Sequence, residues 1–460
     1  MYNPTQTVCA VSTPPGKGGV ALIRLSGTDA FRIADRAFRP RMGDAPLSHR
    51  PPRTQVYGDV LLDGVAVDDG LATRFPAPHS YTGEDTVEIT CHGGVLVTRT
   101  VYEALLAAGA VAATAGEFTR RAFLNGRLSL TEAESIGDLL EAKSYSAMRL
   151  SGAQSRDRLT REIDAIRRAI VTLMGSIFAR IDYPDEDLGE FSDVETAREL
   201  LAIRARIDTL LATYRTGRAI CEGVRTVIVG KPNAGKSTLY NAILGEDSAI
   251  VTDIRGTTRD VLSRTAPLGK VLLHLSDTAG IRETDDPVEK IGVSRSREEM
   301  EKADLILAVF DASAPLDEED LEILHLLKMQ KTPQIALCNK ADLQTKIDKN
   351  ALSEVFTHIL PLSAKSAELD ALRDLVETLF TDGALTVGEE PILSSARAHA
   401  SLLRARDFVN CAIEAYASGF PADAASSDLE LAIGALGEID GRQVSEEVVS
   451  DIFSRFCVGK

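Results

Sequence analysis

The spacing of apolar residues changes along the chain and divides it into segments of different predicted structure. Residues 1–118 contain short apolar runs separated by Pro and Gly clusters, which is typical of strands joined by turns. These runs are VALIRLSG, TQVYGDVLLDG and DTVEITCHGG. The pattern predicts an α+β domain over residues 1–118.

Helical spacing follows. Thr131 and Glu134 have the separation of a capping box and predict the start of a helix. Apolar residues then recur every three or four positions, as on one helix face, at Ile163, Ile166, Ile170, Leu173, Ile177 and Ile181. We expect long helices up to about residue 218. After residue 390 the helical pattern returns, and a second stripe comprises Val444, Val448, Val449, Ile452, Phe453 and Phe456.

Between these helical parts, residues 224–380 alternate strand-like runs with helical stretches, which indicates a parallel sheet with helices on both faces. The runs are TVIVG, KVLLHLSD, ADLILAVFDA, PQIALCNK and HILPLSA. Each helical half alone would expose an apolar face, so the simplest packing joins them into one bundle with the α/β domain inserted between. The predicted domains are 1–118, 119–218 (first helical half), 219–380 (α/β) and 381–460 (second helical half).

Composition limits the class of protein. The chain is 44% hydrophobic and 26% charged, which is typical of a globular protein. It has no run of eighteen apolar residues and its start lacks the features of a signal peptide, so we expect a cytoplasmic protein without a membrane segment. The six cysteines lack paired spacing, which favours reduced thiols over disulfides or a cysteine zinc site.

The formal net charge of −17 repels polyanions at long range, so contact with a nucleic acid would need a local basic patch or a partner. The arginine-rich stretch 149–168 is a candidate patch. The alternative is a solvated helix face of mixed charge.

A phosphate-binding motif lies at 230–237. The sequence G-K-P-N-A-G-K-S directly follows the strand TVIVG and precedes a helix that starts TLYNAIL. Such a loop points backbone N–H groups at a phosphate chain and places a helix N-terminus behind it. Lys236 would reach the β- and γ-phosphates, and Ser237 would bind Mg²⁺.

A second motif selects the base. N-K-A-D at 339–342 follows the strand PQIALC, and the Asp342 carboxylate can accept two hydrogen bonds from guanine that adenine cannot offer. Ser363, Ala364 and Lys365 follow another strand and fit a loop that closes over the base. Together with the phosphate loop, these residues predict GTP as the substrate.

Two further segments would complete the site. D-T-A-G at 277–280 ends a strand, so Asp277 can hold the Mg²⁺ shell and the Gly280 amide can meet the γ-phosphate. G-T-T-R-D at 256–260 lies in a loop where Thr258 could bind Mg²⁺ only while GTP is present, which would make the loop a switch.

The residue that orients water in Ras-like proteins is missing. A Gln usually follows this Gly, but Ile281 stands here and can neither donate nor accept a hydrogen bond. The alternative is a polar residue farther along the chain together with a cation. Glu289 and, in the phosphate loop, Asn233 are available for these roles.

Four other stretches narrow the class further: T-P-P-G-K-G-G-V-A-L-I-R-L-S-G, S-Y-T-G-E-D-T-V-E-I-T-C-H-G-G, G-E-F-T-R-R-A-F-L-N-G-R and the terminal C-V-G-K. With the GTPase motifs they resemble the MnmE (TrmE) family of tRNA modification GTPases over the whole chain. The resemblance implies a multidomain α/β plus α protein. Its parts would be an N-terminal α+β domain that binds folate and forms a homodimer, an α-helical bundle domain, and an inserted Ras-like P-loop GTPase domain.

The resemblance also implies a function. Members hydrolyse GTP with K⁺ and Mg²⁺, and they form a heterotetramer with an FAD-containing partner, MnmG. The complex adds an aminomethyl or carboxymethylaminomethyl group to C5 of the wobble uridine of certain tRNAs. The one-carbon unit comes from a tetrahydrofolate derivative, in the 5-formyl or 5,10-methylene form.

Site residues follow from matching positions. The predicted GTP-binding residues are Asn233, Ala234, Gly235, Lys236, Ser237, Thr238, Thr252, Asp253, Ile254, Arg255, Gly256, Thr257, Thr258, Asp277, Thr278, Ala279, Gly280, Asn339, Lys340, Asp342, Ser363, Ala364 and Lys365. By the family pattern, K⁺ would be held by Asn233, Thr252, Ile254 and Thr257. Mg²⁺ would be held by Ser237 and Thr258, and Glu289 would be the catalytic residue that positions water.

For folate, the matching positions are Arg24, Glu88, Arg127 and Lys460. Arg24 lies in an apolar strand and needs a partner, so a structural salt bridge is the alternative. The family often has Lys at position 127 and a small residue at position 255.

The resemblance implies that the terminal sequence FCVGK lies beside the folate pocket. Cys457 is a candidate nucleophile, and the alternative is a small apolar residue buried at a helix end.

Two other classes of function are alternatives to this one. A regulatory switch of the Era type would use its flanking domains only to bind RNA or protein, and it predicts neither folate binding nor uridine chemistry. A structural scaffold with a degenerate GTPase domain conflicts with the intact Lys236, Ser237, Asp277 and Asp342.

Overall fold

The computed structural model describes residues 5–154, 158–182, 193–245, 263–276, 299–383, 385–387, 389–418 and 422–460. The chain divides into two compact units. The first comprises Met1–Gly137 and Gly434–Lys460, and the second comprises Asp138–Ile433. Within the ranges given, none of the helices has the length and apolar composition needed to cross a membrane.

The first unit contains a seven-stranded sheet in the order β3-β4-β5-β6-β2-β1-β7. The strands are β1 Val8–Val11, β2 Val20–Ser26, β3 Phe38–Pro40, β4 Val56–Leu62, β5 Val65–Phe75, β6 Thr86–His92 and β7 Val111–Ala112. Only the pairing of β1 with β7 is parallel.

One face of this sheet is covered by helices α1 Ala30–Ala37 and α2 Val95–Ala107, and a short 3₁₀ turn spans Leu47–His49. Side chains alternate between faces along a strand. Ile23 and Ile89 are therefore buried in the core with the helices, whereas Arg24 and Glu88 lie on the opposite face. This alternation explains how a charged pair fits in an apolar strand.

The rest of the first unit is helical, with α3 Glu117–Leu124 and the start of α4 Leu130–Glu141. The predicted capping box at Thr131 and Glu134 is wrong. Ser129 and Glu132 form it two residues earlier, since the Ser129 hydroxyl accepts from the Glu132 N–H (3.2 Å) and the Glu132 carboxylate accepts from the Ser129 N–H (2.7 Å). The Thr131 hydroxyl instead donates to the Ile439 carbonyl at 3.0 Å.

The C-terminal stripe packs within the first unit. Val449 and Phe453, from the helix at Glu446–Ser454, are buried against Leu130 and Ala133, with Phe123 alongside. The preceding helix at Ala422–Asp440 passes from the second unit into the first.

The second unit contains a six-stranded sheet in the order β13-β12-β11-β8-β10-β9. The strands are β8 Val224–Val229, β9 Ser263–Leu268, β10 Val271–Ser276, β11 Leu305–Asp311, β12 Gln334–Asn339 and β13 His358–Pro361. All pairings are parallel except that of β9 with β10.

Helices cover both faces of this sheet. Leu305, Leu307 and Val309 of β11 face one core, and Ile306, Ala308 and Phe310 face the other. The flanking helices are α8 Lys236–Gly245, α9 Glu318–Lys328, α10 Lys349–Ser353 and α11 Asp370–Phe380. A strand that is apolar on both faces is the pattern expected for a buried parallel sheet.

The other helices of the second unit are α5 Tyr145–Gln154, α6 Arg158–Asp182, α7 Asp193–Cys221 and α12 Ala396–Ala417. The predicted apolar stripe of α6 is buried from Ile163 to Ile177; the side chain of Ile181 is outside the described residues. The Tyr214 ring stacks on the His399 ring, with centroids 3.9 Å apart. Helical segments before and after the sheet in sequence therefore pack together, as expected for an inserted α/β domain.

Candidate functional site

The phosphate loop connects the end of β8 with the start of α8. Gly235 has a φ of +101°, and a side chain there would place its first carbon 2.0 Å from Asn339 Nδ2. Only glycine fits this position. Ser237 and Thr238 occupy the first turn of α8, where free backbone N–H groups favour an anion.

Lys236 bends back over this loop. Its Nζ donates to the carbonyls of Gly230 (2.8 Å) and Lys231 (2.9 Å). Burial lowers the pKa of Lys236, so a phosphate placed beside the ammonium would favour its charged form. The geometry suits a lysine that contacts a phosphate chain.

Asn339 joins the phosphate loop to the loop after β13. Its Nδ2 donates to the Ala234 carbonyl at 2.9 Å, and its Oδ1 accepts from the Ala364 N–H at 2.9 Å. The side chain is buried. The sequence motif indicated that Asn339 belongs to the nucleotide site, but it did not reveal that this amide ties two loops together.

Asp342 and Ser363 meet at the end where the base would lie, with the Ser363 hydroxyl donating to Asp342 Oδ1 at 2.7 Å. Asp342 and Lys365 are exposed to solvent. Lys340 has a φ of +62°, and its ammonium contacts Asp311 Oδ2 at 2.5 Å. Burial opposes ionisation of Asp311, but Lys340 and Ser313 lower the pKa of its carboxyl group.

The structure thus brings Asn233–Thr238, Asn339–Asp342 and Ser363–Lys365 to the carboxyl ends of β8, β12 and β13, where ligands of open α/β sheets bind. The other predicted residues of the GTP site lie outside the described residues. They are Thr252, Asp253, Ile254, Arg255, Gly256, Thr257, Thr258, Asp277, Thr278, Ala279, Gly280 and the predicted catalytic residue Glu289.

A tether that local sequence patterns do not reveal joins the phosphate loop to α9. Lys231 Nζ lies 2.6 Å from Asp317 Oδ2 and 2.7 Å from Asp320 Oδ2. Asp317 and Asp320 also form the capping box of α9. Burial opposes the charge on Lys231, but the two carboxylates raise the pKa of this lysine. The two ion pairs of Lys231 therefore hold the phosphate loop against the start of α9.

We expect Lys231→Met to destabilise the second unit by roughly 3 kcal/mol, because the Asp320 side chain, only 3% exposed, would lose its cationic partner. Urea unfolding measures this change. Lys328→Met on the exposed surface of α9 is the matched control and should change stability by less than about 0.5 kcal/mol. Equal stability of the two variants would show that the tether contributes nothing.

In the first unit, two of the predicted folate residues pair with each other. Arg24 Nη2 lies 2.9 Å from Glu88 Oε1, and the Arg24 guanidinium lies 5.0 Å from the Tyr81 ring centroid and 5.5 Å from that of Phe118. Glu88 is thus the partner that a charged residue in this strand requires. The pair is compatible with both the folate role and the structural salt bridge.

The chain terminus is held by backbone hydrogen bonds. The N–H groups of Gly116 and Phe118 donate to the carbonyls of Cys457 (3.3 Å) and Lys460 (3.1 Å), and the Ser12 hydroxyl donates to the Gly459 carbonyl (2.9 Å). Gly459 has a φ of +99°, and an added side chain would approach the Val11 carbonyl oxygen to 2.2 Å. The terminal residues are therefore fixed in place.

Cys457 is exposed, so the alternative of a buried apolar residue is wrong. The Lys460 carbonyl accepts from the N–H of Phe118, and the Phe118 ring lies against the Arg24 guanidinium. Arg127 lies beside Gly83 of the S-Y-T-G-E-D motif, since a side-chain carbon at Gly83 would lie 3.2 Å from Arg127 Cγ.

A buried ionic network connects two of the sequence motifs that are characteristic of the family. Arg121 is fully buried and lies 3.0 Å from Glu84 and 2.8 Å from Glu117. Glu84 also accepts from the Ser26 hydroxyl at 2.8 Å, and Glu117 accepts from the Thr114 N–H at 2.7 Å. The network therefore links the S-Y-T-G-E-D and G-E-F-T-R-R motifs and satisfies the buried charges.

The arginine-rich stretch 149–168 carries ion pairs where it is described. Arg167 pairs with Asp164 at 2.8 Å, and Glu162 pairs with Arg206 of α7 at 2.8 Å. Part of the stretch is thus a face of mixed charge.

A phosphate loop after β8, with the N-K-A-D and S-A-K segments after β12 and β13, defines the class: a P-loop GTPase. Comparison with family models matches residues 7–127 to the N-terminus of the GTP-binding protein TrmE and residues 130–457 to the MnmE helical domain. The chain belongs to the MnmE family of tRNA modification GTPases.

Similar proteins of the family share its full length. The tRNA modification GTPase MnmE of Symbiobacterium thermophilum is 43% identical over 463 residues, covering 99% of each chain. That of Thermotoga maritima is 40% identical, covering 99% of this chain and 100% of the relative. That of Lactococcus lactis subsp. lactis is 40% identical, covering 99% and 98%. The family, the fold class and the enzyme class predicted from the sequence are confirmed.

Among solved structures, an Era variant from Aquifex aeolicus bound to GDP·AlF₄⁻ covers 40% of this chain and 66% of the Era chain, with 29% identity and a TM-score of 0.27.

Proposed function

We propose that this protein is a K⁺-activated GTPase that modifies the wobble uridine of certain tRNAs. Acting with the FAD-containing partner MnmG, it adds an aminomethyl or carboxymethylaminomethyl group to C5 of that uridine, with a one-carbon unit from tetrahydrofolate. The observation that carries the proposal is family similarity along 99% of the chain, which includes the N-terminal unit and the fixed terminus as well as the nucleotide loops.

In this proposal the protein works in the cytoplasm as a homodimer that joins MnmG in a heterotetramer and takes tRNA as its substrate. An Era-type switch would hydrolyse GTP without these partners. Three hydrogen bonds hold the backbone of Cys457, Gly459 and Lys460 on the first unit. This arrangement favours the modification function, because a GTPase that acts only as a switch does not require a terminus in a fixed position.

GTP would be held by groups of this chain at both its phosphate end and its guanine end. The N–H groups of the phosphate loop and Lys236 contact the phosphates, while Asp342, with Ser363 beside it, binds guanine. Asn339 sets the distance between the two ends by bonding both loops. Ser237 at the first turn of α8 is a suitable ligand for Mg²⁺, which neutralises charge on the phosphates when bound.

Hydrolysis needs a group that orients water, and Ile281 cannot do so. We assign this role to Glu289, and we assign K⁺ to Asn233 with Thr252, Ile254 and Thr257. Asn233 fits the cation role because it is exposed within the phosphate loop, has a backbone φ of +61°, and carries an amide oxygen that can bind a cation. Thr258 would complete the Mg²⁺ site.

GTP turnover should therefore be at least about tenfold faster in KCl than in NaCl at equal ionic strength, since a correctly placed cation stabilises the charge that develops in the transition state. Asn233→Ala should remove most of this difference and leave guanine nucleotide affinity close to native. Turnover that is equal in both salts would exclude cation activation.

The folate role falls to Arg24, Glu88, Arg127 and Lys460. Lys460 would pair with the folate carboxylates or with an anionic group of the tRNA, and the exposed Cys457 thiol would act as a nucleophile in the uridine chemistry. The contact of Phe118 with both Arg24 and the Lys460 backbone supports one shared location for these groups.

Reconstitution tests the proposed function. The full chain, MnmG, GTP, KCl, a tetrahydrofolate derivative and unmodified tRNA should yield C5-modified wobble uridine, detected by mass spectrometry of the digested tRNA. A non-hydrolysable GTP analogue should give little product. Equal product in the absence of this chain, or GTP hydrolysis with no product under any of these conditions, would favour the switch instead.

A further inference from the structure

We propose that Asp68, Asp69 and His92 form a binding site for a divalent transition-metal ion, with Zn²⁺ as the expected ion. The site lies in the first unit, where the end of β6 meets the middle of β5. It is separate from the GTP site, which belongs to the second unit, and it uses none of the predicted folate residues.

Three ligand atoms converge at this place. His92 Nδ1 lies 2.8 Å from Asp68 Oδ1 and 3.9 Å from Asp69 Oδ1, and one ligand atom from each of the three residues lies within 4.8 Å of the other two. Ligands around a tetrahedral Zn²⁺ stand about 3.3 Å apart, given bonds of roughly 2.0–2.2 Å. One observed separation is shorter than this value and the other is longer. A small rotation of the Asp69 side chain would therefore bring its carboxylate to the distance that a shared ion requires.

The carboxylates are oriented by groups behind them. Asp68 Oδ2 accepts from the backbone N–H of His92 at 2.9 Å, which leaves Oδ1 beside the imidazole. Asp69 Oδ2 accepts from the Tyr57 hydroxyl and lies 3.3 Å from Arg41 Nη1. Outer partners of this kind, which fix one oxygen and free the other, are usual around metal ligands.

The local charge also suits a cation. Three carboxylates, Asp59, Asp68 and Asp69, face two guanidinium groups, Arg39 and Arg41, which leaves one negative charge when His92 is neutral.

The types of ligand indicate which ion would bind at this site. An imidazole nitrogen with two carboxylates suits Zn²⁺ better than Mg²⁺ or Ca²⁺, which prefer oxygen alone. The His92 side chain is 66% exposed and that of Asp68 only 9%. An ion could therefore enter from solvent, with water completing its coordination.

Calorimetric titration of the full chain with ZnCl₂, in excess Mg²⁺ and GDP, tests the site. The native chain should bind one Zn²⁺ here. His92→Gln and Asp68→Asn should each weaken binding at least about tenfold, and Tyr57→Phe, which removes no ligand, should weaken it by roughly tenfold or more. His79→Gln, at an exposed histidine of the same unit, is the matched control and should bind as the native chain does.

Co²⁺ provides a second measurement. Its visible spectrum should show nitrogen and oxygen ligands without a thiolate charge-transfer band, which separates this site from the exposed thiols of Cys411 and Cys457. Circular dichroism confirms that the variants are folded. The proposal is overturned if the native chain binds no Zn²⁺, if His92→Gln binds it equally well, or if the bound Co²⁺ shows a thiolate band. Each outcome would leave His92 and Asp68 as a simple ion pair.

Discussion

Replacing Asn339 with alanine should weaken GTP and GDP binding by about 100-fold. The change removes two buried hydrogen bonds, each worth about 1–3 kcal/mol when its partner is left unsatisfied, and 1.4 kcal/mol corresponds to roughly tenfold in affinity. The partners left behind are the Ala234 carbonyl of the phosphate loop and the Ala364 N–H of the base loop. Both ends of the nucleotide site therefore lose their common support.

The variant Asn339→Asp distinguishes the contributions of the two hydrogen bonds. Aspartate can still accept from the Ala364 N–H but cannot donate to the Ala234 carbonyl, and it places a negative charge near the phosphates. Titration with a fluorescent GDP analogue measures both variants, and Asn350→Ala on the exposed surface of α10 is the control. Affinity within about twofold of native for Asn339→Ala would contradict the bridging role, because each lost bond should cost more than that.

Cys457→Ser should abolish uridine modification while leaving GTP turnover and dimerisation unchanged. Serine keeps the approximate size of the side chain. Since the terminus is held through the Cys457 carbonyl and not through its sulfur, the hydrogen bonds that hold the terminus should remain. Serine is a much weaker nucleophile, because its hydroxyl is hardly ionised at neutral pH whereas thiolate is the reactive form of cysteine. The reconstituted tRNA reaction followed by mass spectrometry measures the effect.

Cys411→Ser, at the other exposed cysteine, should modify tRNA at the native rate. If Cys457→Ser also does so, thiol chemistry is excluded. Deleting Gly459 and Lys460 then tests whether the tail matters only as a contact for folate or tRNA, since the hydrogen bonds to Ser12 and Phe118 would be lost.

The phosphate loop, the N-K-A-D and S-A-K segments and the buried parallel strands could be predicted from the sequence. Each of them depends on residues that are close together along the chain, as the periodicity of a strand and the residue preferences of a turn do. The antiparallel edge strand β9 was missed, since Pro267 weakens its pattern and an edge position tolerates proline. The capping box was misplaced because Ser129 and Glu132 have the same spacing as Thr131 and Glu134.

Contacts between distant residues could not be inferred from local patterns. Asn339 and Ala234 are 105 positions apart, and Ser12 and Gly459 are 447 apart. The Arg121 network and the Lys231 tether likewise depend on how separate elements come together. Such contacts follow from the packing of whole elements, which the sequence specifies only collectively.

Mass spectrometry of wobble uridines from cells that lack this protein tests the central claim most directly. The account predicts that the C5 modification disappears and that the native chain restores it, whereas Asn339→Ala and Cys457→Ser do not. Unchanged modification of the wobble uridine in the deletion strain would contradict it.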